Sequence, residues 1–100
     1  MQYNKLVRDK VVDIIKAKGE TAVFHVAEDA EYWEKLKAKL LEEYAEFQAD
    51  ESIGEVADVL EVLEAIAKYK GYSMEEVHAV KAKKLADRGG FDKRIILEEA

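Results

Sequence analysis

The sequence contains no cysteine and no proline, and it has only five glycines in 100 residues. Without cysteine, the chain forms neither disulfides nor thiolate metal sites, and its redox compartment cannot be inferred. The absence of proline and the scarcity of glycine favour long helices over a sandwich or a barrel. We therefore expect one mainly α-helical domain over residues 1–100, close to the commonest domain size.

The sequence also lacks a basic-then-apolar leader, and no apolar run approaches the roughly 20 residues that a membrane span needs. Its 22 acidic and 16 basic residues give a net charge of −6. This balance argues against sequence-independent binding to DNA or RNA, which depends on neutralising phosphates. We expect a soluble cytoplasmic protein with neither a membrane nor a nucleic-acid polymer as partner. A small anionic ligand is compatible with this charge if a divalent cation binds with it.

Apolar residues at helical spacing predict an antiparallel bundle of about four helices. Their predicted ranges, in chain order, are about 3–19 with Asn4 as cap, 29–49, from after Ser52 to Gly71, and from after Ser73 to the RGG motif. Two further stretches, TAVFHVA at 21–27 and KRIILEE at 93–99, are typical of short strands that are able to pair with each other.

The third helix is apolar over about half of its circumference, which is more than one neighbouring helix covers. The residues concerned are Val56, Val59, Leu60, Val62, Leu63 and Ile66. We therefore expect a homo-oligomer, either a dimer or a tetramer, that completes the bundle.

Two acidic pairs, Glu43-x-x-Glu46 and Glu55-x-x-Asp58, are placed symmetrically about the point between positions 50 and 51. If the chain turns back at that point, the four carboxylates meet at the seam of two antiparallel helices. At about 100° per residue, Glu43 and Glu55 fall within the apolar arcs of their helices, and the other two flank those arcs.

Four carboxylates at a partly buried seam repel one another unless protons, basic side chains or a metal ion compensate their charge. Oxygen-only ligands suit hard cations, so the pattern predicts a Mg²⁺ site at Glu43, Glu46, Glu55 and Asp58, with Mn²⁺ as a substitute. A simpler interpretation remains open for one member. Ser52-x-x-Glu55 also fits a capping box, in which Glu55 bonds only to the backbone at the start of its helix.

Three basic residues of the fourth helix, Lys81, Lys84 and Arg88, share an arc with apolar side chains. They either extend to water along that face or bind a polyphosphate opposite the four carboxylates of the second and third helices. The polar stripe of the first helix contains Lys5 and Arg8, for which position alone predicts a solvent-facing surface.

Two other functions remain open. Glu75-x-x-His78 is an element of di-metal carboxylate oxidoreductases in helical bundles, although acids in a first helical turn also stabilise the helix dipole. The chain is alternatively a non-catalytic module that binds metal or oligomerises.

The residues resemble the all-α nucleotide pyrophosphohydrolases of MazG type. The family signature, EExxE followed by ExxD on adjacent helices, is present as Glu42-Glu43-Tyr44-Ala45-Glu46 and Glu55-Val56-Ala57-Asp58. YNKLVRDK near the start and KKLADRGGF near the end are similar to a small phosphoribosyl-ATP-pyrophosphohydrolase-like branch. The short interval between the two acidic pairs departs from many relatives.

The resemblance implies Mg²⁺-dependent cleavage of a nucleoside triphosphate to the monophosphate and pyrophosphate, with a role in sanitising the nucleotide pool or in histidine biosynthesis. Glu43, Glu46, Glu55 and Asp58 would hold the metal, with Glu42 as a helper. Glu43 and Glu46 would be catalytic, the latter as acceptor of a proton from the attacking water. The residues near the phosphates would be Lys5, Arg8, Lys10, Lys81, Lys84 and Arg88.

Overall fold

The computed structural model describes residues 3–100 of the chain and contains four α-helices. They are α1 (Val11–Ala17), α2 (Asp29–Ala49), α3 (Ile53–Tyr69) and α4 (Met74–Arg88). Helices α2 and α3 form an antiparallel hairpin, and α4 packs against α3. The prediction of four helices is confirmed.

The turn between α2 and α3 comprises residues 50–52, where the symmetry of the acidic pairs placed it. Asp50 leaves the helical conformation with φ −142° and ψ 100°, while its N–H still donates to the carbonyl of Glu46 at 2.9 Å. Ser52 is also extended, and α3 starts at the next residue. A connection this short favours antiparallel packing of the two helices side by side.

Glycine ends α3 as the sequence predicts. Gly71 adopts φ +82°, which a residue without a Cβ tolerates. The N–H of Tyr72 donates to the carbonyl of Ala67 at 2.9 Å, and that of Gly71 donates to Lys68 at 3.1 Å. This pair of bonds is a Schellman motif, which satisfies carbonyls at the helix end. Helix α4 follows Ser73 as predicted, and Ser73 caps it, because its Oγ accepts from the N–H of Glu76 at 3.1 Å.

The core of the chain lies between α2 and α3. Leu36 of α2 is 1% exposed, and Val62 and Ala67 of α3 are buried as well. At the end of the hairpin far from the turn, the Trp33 ring stacks on Tyr69 with centroids 5.0 Å apart and planes inclined by 7°. Together these contacts hold the hairpin at its middle and at its open end.

The first helix is shorter than predicted, because the N-terminal segment, residues 3–10, is not helical. Asn4 does not cap it, since its φ of +49° belongs to the left-handed region. Lys35 Nζ donates to the Asn4 carbonyl at 2.6 Å, and the side chains of Lys5 and Arg8 bond to α2 and α3. These contacts with the hairpin replace the helical conformation that local propensity favours.

The prediction of two strands is wrong within residues 3–100, where no strand is present. In the stretch 21–27, Val23 and Val26 are almost wholly exposed, and in the stretch 93–99 the apolar side chains of Ile95 and Ile96 are exposed as well. Strand propensity depends on a partner strand and on a face to pack against, and neither stretch has them in this chain.

Helix α3 exposes a row of apolar side chains on the face turned away from the core. Their spacing of three, four and three residues puts them on one stripe, and each is at least 45% exposed. The residues of this exposed α3 stripe are Ile53, Val56, Leu60 and Leu63. Among the helices within residues 3–100, none is both long and apolar enough to cross a bilayer.

Because so few side chains are fully buried, we expect Leu36 to contribute a large part of the stability of the fold. Leu36→Ala should lower the free energy of unfolding by about 2–5 kcal/mol, since it leaves a cavity between α2 and α3. Leu97→Ala, at a position 77% exposed outside the helices, is the matched control and should change it by less than about 0.5 kcal/mol. Urea denaturation followed by circular dichroism measures both. Equal effects of the two substitutions would contradict this description of the core.

Candidate metal site

The α2–α3 turn brings three acidic side chains together. Glu43 of α2 and Glu55 and Asp58 of α3 each place one carboxylate oxygen within 4.8 Å of the others. Among the residues that the structure describes, this is the one group of three or more possible ligands. Below, these three residues are called the acidic cluster. Glu43 is 9% exposed, and the other two are half-buried.

Glu46, the fourth predicted ligand, is exposed and does not belong to the acidic cluster. It lies three residues after Glu43, at the flank of the apolar face, so its side chain leaves the seam towards water. Its charge is nevertheless close enough to act on Glu55 and on Lys5. Its predicted roles in metal binding and proton transfer stay predictions, and they would be carried out from the exposed edge of the acidic cluster.

Glu55 is the member with the fewest compensating contacts. Its Oε2 is buried and has no hydrogen-bond partner in the described chain. A capping box would give Glu55 a purely local role, but the bond from a backbone N–H of α3 to the Ser52 side chain is missing. Ser52 Oγ accepts no backbone N–H and instead donates to Asp50 Oδ2 at 3.3 Å. An unpaired buried carboxylate oxygen is costly, and a cation bound at the cluster would remove that cost.

The electrostatics of the cluster follow from this arrangement. Loss of hydration raises the pKa of the Glu55 carboxyl above its ordinary value of 4.5, and the negative charges of Asp58, Glu46 and Glu43 raise it further. In the absence of a cation, the folded protein therefore resists ionisation of Glu55.

Basic side chains surround the cluster on two sides. Arg8 donates to Asp58 Oδ1 at 2.8 Å from the N-terminal segment. On α2, Lys39 lies 3.3 Å from Glu43 and 3.4 Å from Glu42. Lys5 donates to Glu42 at 3.0 Å.

In Glu42, the effect of basic neighbours on the carboxyl pKa is larger than the effect of partial burial. Loss of hydration acts to raise the pKa of the Glu42 carboxyl, but the hydrogen bond from Lys5 and the positive charges of Lys39 and Lys5 lower it overall. The same hydrogen bond and the charge of Glu42 raise the pKa of Lys5. Glu42 is therefore already neutralised by protein side chains, unlike Glu55.

The other predicted phosphate-binding residues are not paired with the cluster. Lys10 is exposed at the N-cap of α1. Lys81, Lys84 and Arg88 are exposed on α4, and Arg88 lines a shallow depression with residues 89–95. Helix α4 contacts α3 but not α2, so within residues 3–100 its basic face does not close over the hairpin seam. Their role in binding phosphate stays a prediction.

Lys39 is the cluster neighbour that the sequence pattern did not single out. It lies four residues before Glu43 on the same helix, a spacing that brings oppositely charged side chains together. Its side chain is only 16% exposed. The i,i+4 relation is visible in the sequence, but the burial of this pair is not.

The structure gives no support to the di-metal oxidoreductase alternative. Glu75 and Glu76 lie in the first turn of α4, where they stabilise the helix dipole. His78 is exposed and belongs to no group of possible ligands among the residues described.

Comparisons with known proteins leave this site without an assigned chemistry. No protein-family model matches the sequence. A protein of Mycolicibacterium smegmatis, described as an uncharacterized protein, is 49% identical to the chain over 45 residues. The aligned part is 45% of this chain and 46% of that relative, so the chain matches less than half of the relative's length. No solved structure matches the chain.

The crowding of negative charge at Glu55 leads to a prediction for the metal-free protein. A carboxyl with a raised pKa in the folded state makes the fold less stable as pH rises above its unfolded value of 4.5. Glu55→Gln removes that charge, so the variant should melt at a higher temperature than the wild type at pH 7 in EDTA. The difference should shrink towards pH 4, where the unfolded chain is protonated as well.

The matched control is Glu61→Gln, at an exposed position of the same helix. Thermal melts at the two pH values should show little change for this variant. A Glu55→Gln protein that melts below the wild type at pH 7 would instead indicate a stabilising local role for the carboxylate, such as capping.

Proposed function

We propose that the protein is a Mg²⁺-dependent nucleoside triphosphate pyrophosphohydrolase, which releases the nucleoside monophosphate and pyrophosphate. The observation that carries the proposal is the buried, unpaired Oε2 of Glu55 within a group of three acids. The EExxE and ExxD motifs and their resemblance to the MazG-type family support the same reaction. Sanitation of the nucleotide pool is the role that this reaction suggests.

The residues present fit a hard divalent cation. The donor set of the acidic cluster consists of carboxylate oxygens only, which Mg²⁺ and Mn²⁺ prefer over softer metals. Glu43, Glu55 and Asp58 would hold the ion, with Glu46 at the rim. When bound, Mg²⁺ neutralises charge on phosphate oxygens and makes water more acidic.

The remaining chemistry belongs to side chains around the cluster. Glu46 is exposed beside it and is proposed to accept a proton from the water that attacks the α-phosphorus. As the new bond from oxygen to the α-phosphorus forms, the bond from the α-phosphorus to the bridging oxygen breaks and pyrophosphate leaves. Lys5 and Arg8 lie at the same end of the hairpin and supply positive charge for phosphate groups.

We also propose that the protein is a homo-oligomer, a dimer or a tetramer. The exposed α3 stripe has the spacing of a helix–helix seam, and the buried core of a single chain is small. A second copy would cover the stripe and bring further side chains towards the hairpin. The basic residues of α4, which lie apart from the cluster in one chain, could then approach the site of another.

The reaction is tested with a panel of standard and modified nucleoside triphosphates and phosphoribosyl-ATP, incubated with Mg²⁺ and assayed for pyrophosphate. Glu55→Gln should reduce turnover by at least about a hundredfold, because even outer partners of a metal are worth 10- to 100-fold. Glu61→Gln should keep wild-type activity. If Mg²⁺ binds but no substrate yields pyrophosphate, the protein is a non-catalytic metal-binding module.

The oligomer is tested by light scattering after size-exclusion chromatography. The wild type should elute as a dimer or a tetramer, and Leu60→Glu should shift it to monomer, because the substitution places a charge on the exposed α3 stripe. Leu97→Glu, at an exposed position outside the helices, should leave the assembly unchanged. A wild type that is monomeric at all concentrations would contradict the proposal.

A further inference from the structure

The N-terminal segment, residues 3–10, lies across the α2–α3 hairpin and places one cationic side chain against each of the two helices. Lys5 donates to Glu42 of α2 at 3.0 Å, and Arg8 donates to Asp58 of α3 at 2.8 Å. A third contact, from Lys35 Nζ to the carbonyl of Asn4 at 2.6 Å, fixes the start of the segment. Each of these three contacts involves a charged side chain.

Arg8 bonds to one of the carboxylates of the acidic cluster. Its guanidinium bonds to Oδ1 of Asp58, and Asp58 is one of the three acids whose oxygens lie within 4.8 Å of one another. A divalent cation that uses Asp58 meets this positive charge directly. The cation and the guanidinium are thus competitors for one carboxylate.

Arg8 is also the partner of the cluster that can leave most easily. Its side chain is 58% exposed and that of Asp58 is 40% exposed, which makes the pair a weak one. Arg8 belongs to a non-helical segment, and its side chain can leave Asp58 while its carbonyl keeps the 3.1 Å bond from the N–H of Val11 at the start of α1. Lys39, in contrast, is 16% exposed and held on α2 four residues from its partner Glu43.

We propose that Arg8 is an exchangeable counter-ion of this site. It pairs with Asp58 when no metal is bound, and it leaves Asp58 when a divalent cation binds to Glu43, Glu55 and Asp58. The contact therefore lowers the affinity of the site for the free cation. This inference rests on the metal-binding part of the proposed function and adds a means by which the chain itself controls that binding.

The first measurement is Mn²⁺ binding, by isothermal titration calorimetry at fixed ionic strength, for the wild type, Arg8→Gln and Lys83→Gln. Lys83 is the matched control, because its exposed ion pair with Asp87 on α4 has the same 2.8 Å length and its substitution makes the same change in net charge. Arg8→Gln should bind Mn²⁺ about two- to fivefold more tightly, which is the range that an exposed ion pair supports. Lys83→Gln should bind as the wild type does.

The second measurement needs no substitution in the protein that is observed. The Nε–Hε resonance of Arg8, assigned from its loss in Arg8→Gln, reports the guanidinium in the wild type by nuclear magnetic resonance. Addition of Mg²⁺ should shift this resonance and increase its exchange with water, as expected for a guanidinium released from a carboxylate. The other arginine resonances should change little.

The outcomes test the metal site and the displacement of Arg8 separately. If the wild type binds the cation but Arg8→Gln binds it equally or more weakly, or if Mg²⁺ leaves the Arg8 resonance unchanged, the exchange is overturned and the metal site stands. If neither the wild type nor the variant binds a divalent cation, both the metal site and the exchange are overturned. Tighter binding by Arg8→Gln alone, together with a shifted Arg8 resonance, supports the exchange.

Discussion

Repulsion among carboxylates at the α2–α3 seam is the constraint on which the rest of this structure depends. The short turn that makes the hairpin pack also brings Glu43, Glu55 and Asp58 together beside the apolar core. Such a group is tolerated where protons, basic side chains or a metal ion compensate its charge. The arrangement of the basic residues near the hairpin is best understood as a response to this requirement.

Basic side chains compensate the negative charge of some of these acids but not of all. Glu42 has Lys5 and Lys39, Glu43 shares Lys39, and Asp58 has Arg8. Only for Glu55 does the described chain leave a buried oxygen without a partner. In the acidic cluster, Glu43 and Asp58 are thus paired with basic side chains of the protein, whereas a bound cation would be needed to compensate the charge of Glu55. A site that was only a set of surface ion pairs would not show this division.

The hairpin could be predicted from the sequence because its determinants are local. Helix periodicity, the glycine after α3 and the serine before α4 each act within a few residues, and the positions of α2, α3 and α4 follow from them. The symmetry of the acidic motifs about the turn was sufficient to bring Glu43 near Glu55. Glu46 differs because a side chain at the flank of a helix can turn to either side of a seam.

The N-terminal segment and the two supposed strands could not be predicted because their conformations depend on distant partners. Local propensity favours a helix from Asn4 onwards, but the segment instead lies across the hairpin, with ion pairs to residues 37 and 50 positions away. Alternating apolar residues at 21–27 have no neighbouring strand within the described part of the chain. In both cases the deciding contacts are long-range, and no spacing rule within the segment contains them.

The stack of Trp33 on Tyr69 has a practical consequence. The chain contains a single tryptophan, and its ring joins the two helices of the hairpin at the end opposite the turn. Its intrinsic emission therefore serves as an optical reporter of hairpin separation, and it does so without a label or an engineered probe. Opening of the helices can in this way be followed separately from ligand occupancy, since the chromophore and the carboxylates lie at different ends of the same pair.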